Sequence, residues 1–478
     1  MLNDAAGVNK KRAGRDSMAG RGMRCRERRR IECVALVWRL RMPDATITAD
    51  FPEPNYVHYA NEAIQLGPVD LEFEVSGQVC HEKASAVLRF TPNVAVELGL
   101  SLRSDVYTSL EDGLWMTPGS GKPFQANRIR DERRTVAFVA KNAPVEPFQS
   151  TRLISSAVCH LFNLPNFSVP AAKRAKISAD PKDRRLVILG ADGWEITIAR
   201  TNATKEAVNQ LEDRGGYALT HIAKIAKGDG SPFSDVDLSD ALDCVHWFLS
   251  FCFGRRVGVG LAVGFDKAGD RKWEQWGITY CARDARNARC CLDDQHGEFL
   301  GSVFPGFWGL WKEQQWQPAL KYAVDWYLRA NDAIGPETGI ILGQVALELL
   351  AWTYCLKIKS VCTANGFNRL PASDRLRLLL SNLSIPRSIP PQSVQPSTFY
   401  PDVADMITRM RNNLVHANDS VPALANDVCG ARALSLWLIE MVILRLCEYN
   451  GEYANRLNAP RWAGSVEAVP WAARPSAS

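Results

Sequence analysis

The chain reads as an α+β multidomain protein, with a β-rich N-terminal region followed by an all-α C-terminal helical bundle. Three observations predict this. Short apolar runs with a period of two recur through residues 43–200. From about residue 311 onward the apolar spacing is helical almost throughout. The 478 residues, 46% hydrophobic and 23% charged, also exceed what one ordinary core encloses, so more than one domain is expected.

The period-two runs are ATITADF, VDLEFEV, ASAVLRF, VAVELGLSL, TVAFVA, LVILG and WEITIA, separated by Gly, Pro and Asn, which predicts an antiparallel β domain. Residues 204–227 and 237–253 are expected to be helical, the second (LSDALDCVHWFLSFCFG) strongly apolar and stopped by Gly254. Strand character returns in RVGVGLAVGFD and WEQWGITYCA. Five helices then follow in WQPALKYAVDWYLRAND, PETGIILGQVALELLAWTYCLKIKS, SDRLRLLLSNL, PDVADMITRMRNNLVHA and NDVCGARALSLWLIEMVILRLCEY, the last apolar on most sides and therefore central. Pro386, Pro390, Pro391 and Pro396 mark a long connection between the third and fourth of them. The expected organisation is a basic tail at 1–42, an α+β sensing or regulatory region at 43–310, a bundle at 311–460 and a C-terminal tail at 461–478.

Charge is unevenly placed. Residues 1–42 hold twelve Arg or Lys against four acids, a surplus larger than the whole chain's net +5, so the remainder is close to neutral. Any nucleic-acid contact by the folded body must therefore come from a local patch. The tail's longest apolar run, CVALVW, is shorter than the ~7–15 residues of a signal-peptide core. The tail reads either as a basic RNA-binding arm or as the product of an upstream start codon, with Met42 as the true beginning. No run reaches the ~18–20 apolar residues of a membrane span, so a cytoplasmic protein without a membrane partner is expected. The thirteen cysteines form no C-x-x-C pair, which points to a reduced compartment, no zinc and no cofactor.

Several motifs fail on inspection. PGSGKPF at 118–124 lacks the first Gly of a phosphate loop and carries Pro123 where Ser or Thr is needed, so a turn is expected. GVGLAVG at 258–264 has its third Gly one place late for a dinucleotide fingerprint and reads as a strand. His246 lies in an apolar helix and reads as a core histidine. Phe307, Trp308, Trp311, Trp316 and Trp326 could stack bases, but interdomain packing is the preferred reading.

One stretch, RMRNNLVHAND at 409–419, carries chemistry. At about 100° per residue from Val403, the residues Ile407, Met410 and Leu414 fall near 40°, −20° and 20° and define a buried stripe. Asn412 and His416 fall near 180° and 220°, and Arg411 near 80°, away from that stripe. Imidazole suits proton transfer near neutrality, and a guanidinium can hold phosphate oxygens as charge builds. Asn412 can orient the imidazole or bond the phosphate. Two plain alternatives stay open on the residues alone: a solvated polar face, or basic groups complementing the helix C-terminus.

Arg411-Asn412-Asn413-Leu414-Val415-His416 resembles the R-N-x-x-x-H signature of the HEPN superfamily, the higher eukaryote and prokaryote nucleotide-binding domains. The resemblance covers roughly 330–455, with ALELLAW at 346–352 similar to the opening of that domain. It implies a small α-helical bundle, often a ribonuclease of toxin, abortive-infection or antiphage systems. Arg411 and His416 are then catalytic and Asn412 supporting, while Glu348 is expected to buttress Arg411 and Asn413 is a further supporting candidate. The family commonly dimerises with two motif helices face to face. RNA would be the partner, cleaved without metal, and an antitoxin or phage-derived trigger would control it. The alternative is a nucleotide- or RNA-binding module of the same family that does not cut.

Overall fold

The structure, a computed structural model, describes residues 52–472 apart from 57, 92, 102–112, 133–134, 141–144, 150–152, 170–185, 202–203, 284–287, 394–395, 397–398 and 417–424. The basic tail with Met42 and the run ATITADF lie outside the described residues.

Six strands form a closed antiparallel barrel: β1 (Ile64–Val75), β2 (Gln78–Arg89), β3 (Ala95–Ser101), β4 (Leu114–Pro118), β5 (Phe124–Glu132) and β6 (Thr135–Ala140). Their order is β1-β2-β3-β6-β5-β4, closed by the pairing of β4 with β1 at Leu71↔Pro118, Glu72↔Thr117 and Phe73↔Met116. The alternation read from VDLEFEV fixes the faces. Val69, Leu71, Phe73 and Val75 point inward and are buried, while Asp70, Glu72 and Glu74 are exposed. Between β1 and β2 the two-residue turn Ser76-Gly77 takes φ of 52° and 79°, the left-handed pair that suits a tight hairpin.

A seven-stranded antiparallel sheet follows, built from β7 (Val145–Gln149), β8 (Ser156–Phe162), β9 (Leu186–Ala191), β10 (Trp194–Arg200), β11 (Leu219–Lys227), β12 (Gly258–Phe265) and β13 (Arg271–Ile278), in the order β7-β13-β12-β8-β11-β10-β9. The single β domain expected over 43–200 is therefore two sheets, the second continuing to residue 278. The helix expected over 204–227 stops early. Helix α1 spans Thr204–Arg214, Gly215 and Gly216 break it at φ of 66° and 100°, and LTHIAKIAK is strand β11. Most β11 residues are buried without alternation, which removes the period-two signal from this strand. GVGLAVG is strand β12, and PGSGKPF is the turn between β4 and β5, with the Gly121 N–H bonded to the Pro118 carbonyl.

The helices are α2 (Asp235–Phe253), α3 (Glu298–Lys312), α4 (Trp316–Asp332), α5 (Pro336–Trp352, continued by a π-helical turn at Thr353–Ile358), α6 (Ala364–Arg369), α7 (Ala372–Asn382), α8 (Val403–Val415) and α9 (Ala425–Leu446). A capping box between Ser234 and Asp237 starts α2, and Gly254 at φ 62° ends it. The segment Pro336–Ile358 is long and apolar enough to cross a membrane, but Ile340, Ala346, Leu347, Leu350 and Ala351 are buried in the bundle. The four helices α4, α5, α7 and α9 and the motif helix α8 are the five read from the sequence.

Helix α3 was not read, because Gly301, Pro305, Gly306 and Gly309 hide its periodicity. Two of those glycines permit close approach. A Cβ on Gly301 would stand 2.8 Å from the Ile188 carbonyl of β9, and one on Gly306 would stand 2.0 Å from the Cys447 carbonyl after α9. Helix α3 thus lies flush against both the sheet and the bundle. Gly306→Ala should lower stability by about 1–3 kcal/mol through overpacking. This is the net loss after the ~1 kcal/mol that helix propensity returns. A melting temperature equal to wild type would contradict the close approach.

One apolar core runs through sheet and helices together, from Ile154 to Val469. Phe248 of α2 meets Phe304 and Phe307 of α3, Phe251 meets Tyr327 of α4, and Trp194 of β10 meets Trp308 of α3. The junction aromatics Phe307, Trp308, Trp311 and Trp316 are buried and offer no stacking surface, while Trp326 is partly buried against the core and stacked with the exposed Tyr322. The boundary expected at 310/311 falls inside α3, and the segment 461–472 is no free tail. Strand β15 (Glu467–Ala468) pairs with β14 (Glu452–Tyr453), Val469 is buried, and the Trp471 indole donates to the Tyr449 carbonyl at 2.7 Å.

Candidate active site

Helix α8 begins at Asp402, whose side chain accepts from the Asp405 N–H at 2.9 Å. Arg377 of α7 grips the same carboxylate with Nε at 2.8 Å and Nη2 at 3.1 Å, and gives Nη1 to Asp374 at 2.7 Å. The N-terminal end of the helix is thereby fixed to its neighbour. Val403, Met406, Ile407 and Met410 are buried and Leu414 packs at the core's edge, which is the stripe the wheel predicts.

Beyond that stripe the polar residues come out. Arg411 is half-buried, and Asn412, Asn413 and His416 are exposed. Arg411 Nη1 donates to Asn412 Oδ1 at 3.2 Å. The helix ends one residue before His416, which takes extended backbone (φ −100°, ψ 118°) and gives its N–H to the Asn412 carbonyl at 2.9 Å. The shared-face geometry expected for Asn412 and His416 is therefore replaced by a cap. His416 leaves the helix axis, still tied to Asn412 through the backbone. Its ring has no hydrogen-bond partner among the described residues.

Glu348 does not buttress Arg411. Its carboxylate receives Gln344 Nε2 at 2.7 Å and Arg375 Nη1 at 3.2 Å, since α7 brings Arg375 to α5. The guanidinium of Arg411 is left with Asn412 as its partner in the hydrogen-bond network described.

His160, His221 and His246 are the opposite of His416. Each is buried, and burial pushes their imidazoles down to about 4, 3 and 4, so they stay neutral and enclosed. His246 Nδ1 lies 2.8 Å from the Val257 carbonyl, as a core histidine should. Among the described residues no group of three His, Cys, Asp or Glu side chains is placed to hold a metal ion. Chemically, the end of α8 presents a guanidinium, an amide and an imidazole to solvent within six residues. The sequence did not disclose the Arg377–Asp402 clamp at the opposite end of α8, since the partners lie 25 positions apart and only the packing of α7 on α8 joins them.

Residues 149–287 match the family model of the YopA central domain, and residues 313–468 match that of the YopA C-terminal domain. The first range takes in the sheet from within β7 to β13, and the second takes in α4 to α9 with β14 and β15. The barrel lies outside both. The SPbeta prophage-derived uncharacterized protein YopA of Bacillus subtilis (strain 168) is 27% identical over 286 residues, 59% of this chain and 65% of that protein's length. No solved structure matches the chain.

Proposed function

We propose that this chain is a metal-independent RNA endonuclease of HEPN type, acting as a homodimer in which two copies of the Arg411–Asn412–His416 surface face each other. The observation that carries the reading is that Asn412 and His416 are exposed and Arg411 half-buried at one end of α8, turned away from a stripe that is buried in the same bundle. Arg411 holds the non-bridging oxygens of a phosphodiester, and Asn412 supports it. One His416 takes the proton of the 2′-hydroxyl as its oxygen bonds to phosphorus. The facing His416 gives a proton to the 5′-oxygen as the P–O5′ bond breaks. The products are a 2′,3′-cyclic phosphate and a free 5′-hydroxyl.

A toxin or antiphage role follows from that activity, with an antitoxin or phage-derived trigger acting through the N-terminal region in the cytoplasm. The prophage origin in the relative's name is in keeping with it. A second reading, RNA or nucleotide binding without cleavage, is favoured by one detail: Glu348 serves Arg375, and among the described residues no carboxylate is hydrogen-bonded to the guanidinium or the imidazole of the motif.

Purified protein incubated with total RNA in EDTA separates the two. The endonuclease reading expects fragments ending in 2′,3′-cyclic phosphates, and 3′-hydroxyl ends or a need for magnesium would refute it. Retention of RNA on a filter without fragments would favour the binding module.

A further inference from the structure

We infer that a cavity beneath the C-terminal segment binds a small neutral ligand of nucleoside size, carrying a flat ring and at least one N–H donor. The cavity holds about 530 Å³ and is walled by Leu164 and Asn166 after β8, Phe253 and Arg255 at the end of α2, and Arg461 and Trp462 near the C-terminus. That volume lies within the range of roughly 300–1,000 Å³ typical of small-molecule sites. None of the motif residues of α8 lines it, so it stands apart from the proposed active site.

Two side chains indicate what enters. Asn166 lines the cavity, and its enclosed Oδ1 accepts no hydrogen bond among the described residues, so a ligand meets it by turning the side-chain amide toward the cavity. A buried amide oxygen without a partner is destabilising, and a ligand N–H would relieve it. Side-chain amides meet the amino and imino groups of nucleobases in the same way. Trp462, by contrast, is 69% exposed although it lines the cavity. Its neighbours in the chain are held on both sides. Arg461 donates to the Cys290 carbonyl at 2.8 Å and the Leu292 carbonyl at 2.7 Å, and the Gly464 N–H donates to Asp293 at 2.9 Å. An exposed indole on a rim whose flanking residues are held offers a stacking platform for a planar ring.

Charge narrows the class further. Arg255, Arg289 and Arg461 are balanced by Glu212, Asp293 and Asp294 around the same space. Arg461 and Asp293 are occupied with backbone groups, and Arg255 gives Nη2 to the Ala282 carbonyl at 3.3 Å. A balanced lining favours a neutral nucleoside over its polyphosphate. The walls come from both matched ranges, 149–287 and 313–468, so an occupant would touch the sheet and the C-terminal segment at once.

Calorimetric titration of the full chain with adenosine, guanosine, cytidine and uridine, and with the corresponding triphosphates, tests this. At least one nucleoside should bind, and more tightly than its triphosphate. Trp462→Ala and Asn166→Leu should each weaken it roughly tenfold or more, the equivalent of one lost stacking or hydrogen-bonding contact. Without ligand, Asn166→Leu should melt at or above the wild-type temperature, since it removes an unpartnered buried acceptor. His416→Ala should bind as wild type does, which keeps this result independent of the cleavage assay. No nucleoside binding at millimolar concentration, binding indifferent to both substitutions, or preference for the triphosphate would overturn the assignment.

Discussion

His416→Ala is expected to slow RNA cleavage by about 10²–10⁴-fold, the usual worth of a positioned proton-transfer group. Arg411→Ala should cost on the order of 10²-fold or more, through lost stabilisation of charge on the phosphate. Neither change should disturb folding. His416 is exposed and Arg411 half-buried, and the stripe that holds α8 to the bundle consists of Val403, Met406, Ile407 and Met410 instead. Far-ultraviolet circular dichroism and melting temperature check the fold, and initial rates in EDTA check the chemistry. Expression should likewise slow growth for the wild type and not for His416→Ala. Wild-type rates in both variants would remove Arg411, Asn412 and His416 from the active site.

The second large effect concerns stability. Arg456 is buried with Glu440, to which it gives Nε at 3.0 Å and Nη2 at 2.6 Å. The Tyr327 hydroxyl donates to the same carboxylate at 2.6 Å, and Arg456 also reaches the Arg289 carbonyl at 2.6 Å and Asn331 at 3.2 Å. The network ties α4, α9, the loop before α3 and the C-terminal segment to one another. Arg456→Ala leaves the Glu440 carboxylate charged and enclosed, and should cost about 3–5 kcal/mol. The double change Arg456→Met with Glu440→Leu should recover most of that, because it removes both charges together. Urea denaturation measures it, and a loss below ~1 kcal/mol for Arg456→Ala would show that the pair does not bear on the fold.

Local regularities made much of this architecture legible. VDLEFEV alternates because one face fills a barrel, and Val403, Ile407, Met410 and Leu414 recur at helical spacing because one side of α8 meets the bundle. Legibility failed where tertiary contact, rather than local pattern, decides the outcome. Strand β11 is buried too continuously to alternate, and α3 carries the glycines that its close neighbours demand. Barrel closure could not be read at all, since it depends on three pairings between β1 and β4.

The candidate site divides along the same line. The identities of Arg411, Asn412 and His416, and their orientation away from the stripe, follow from spacing. Glu348 was assigned to Arg411 by resemblance, and a long-range partner, Arg375, takes it. The cap at His416 was equally hidden, because a wheel continues a helix past the residue where the backbone leaves it. The cavity beside Trp462 gathers residues nearly 300 positions apart, and no motif announces it.

The most direct measurement is single-turnover cleavage, in EDTA, of an RNA and of the same RNA carrying one 2′-deoxynucleotide at the mapped cut. If His416 drives attack by the 2′-hydroxyl, the RNA is cut to a cyclic phosphate and the substituted strand stays whole at that position. Equal cutting of the two strands would contradict the mechanism and the site together.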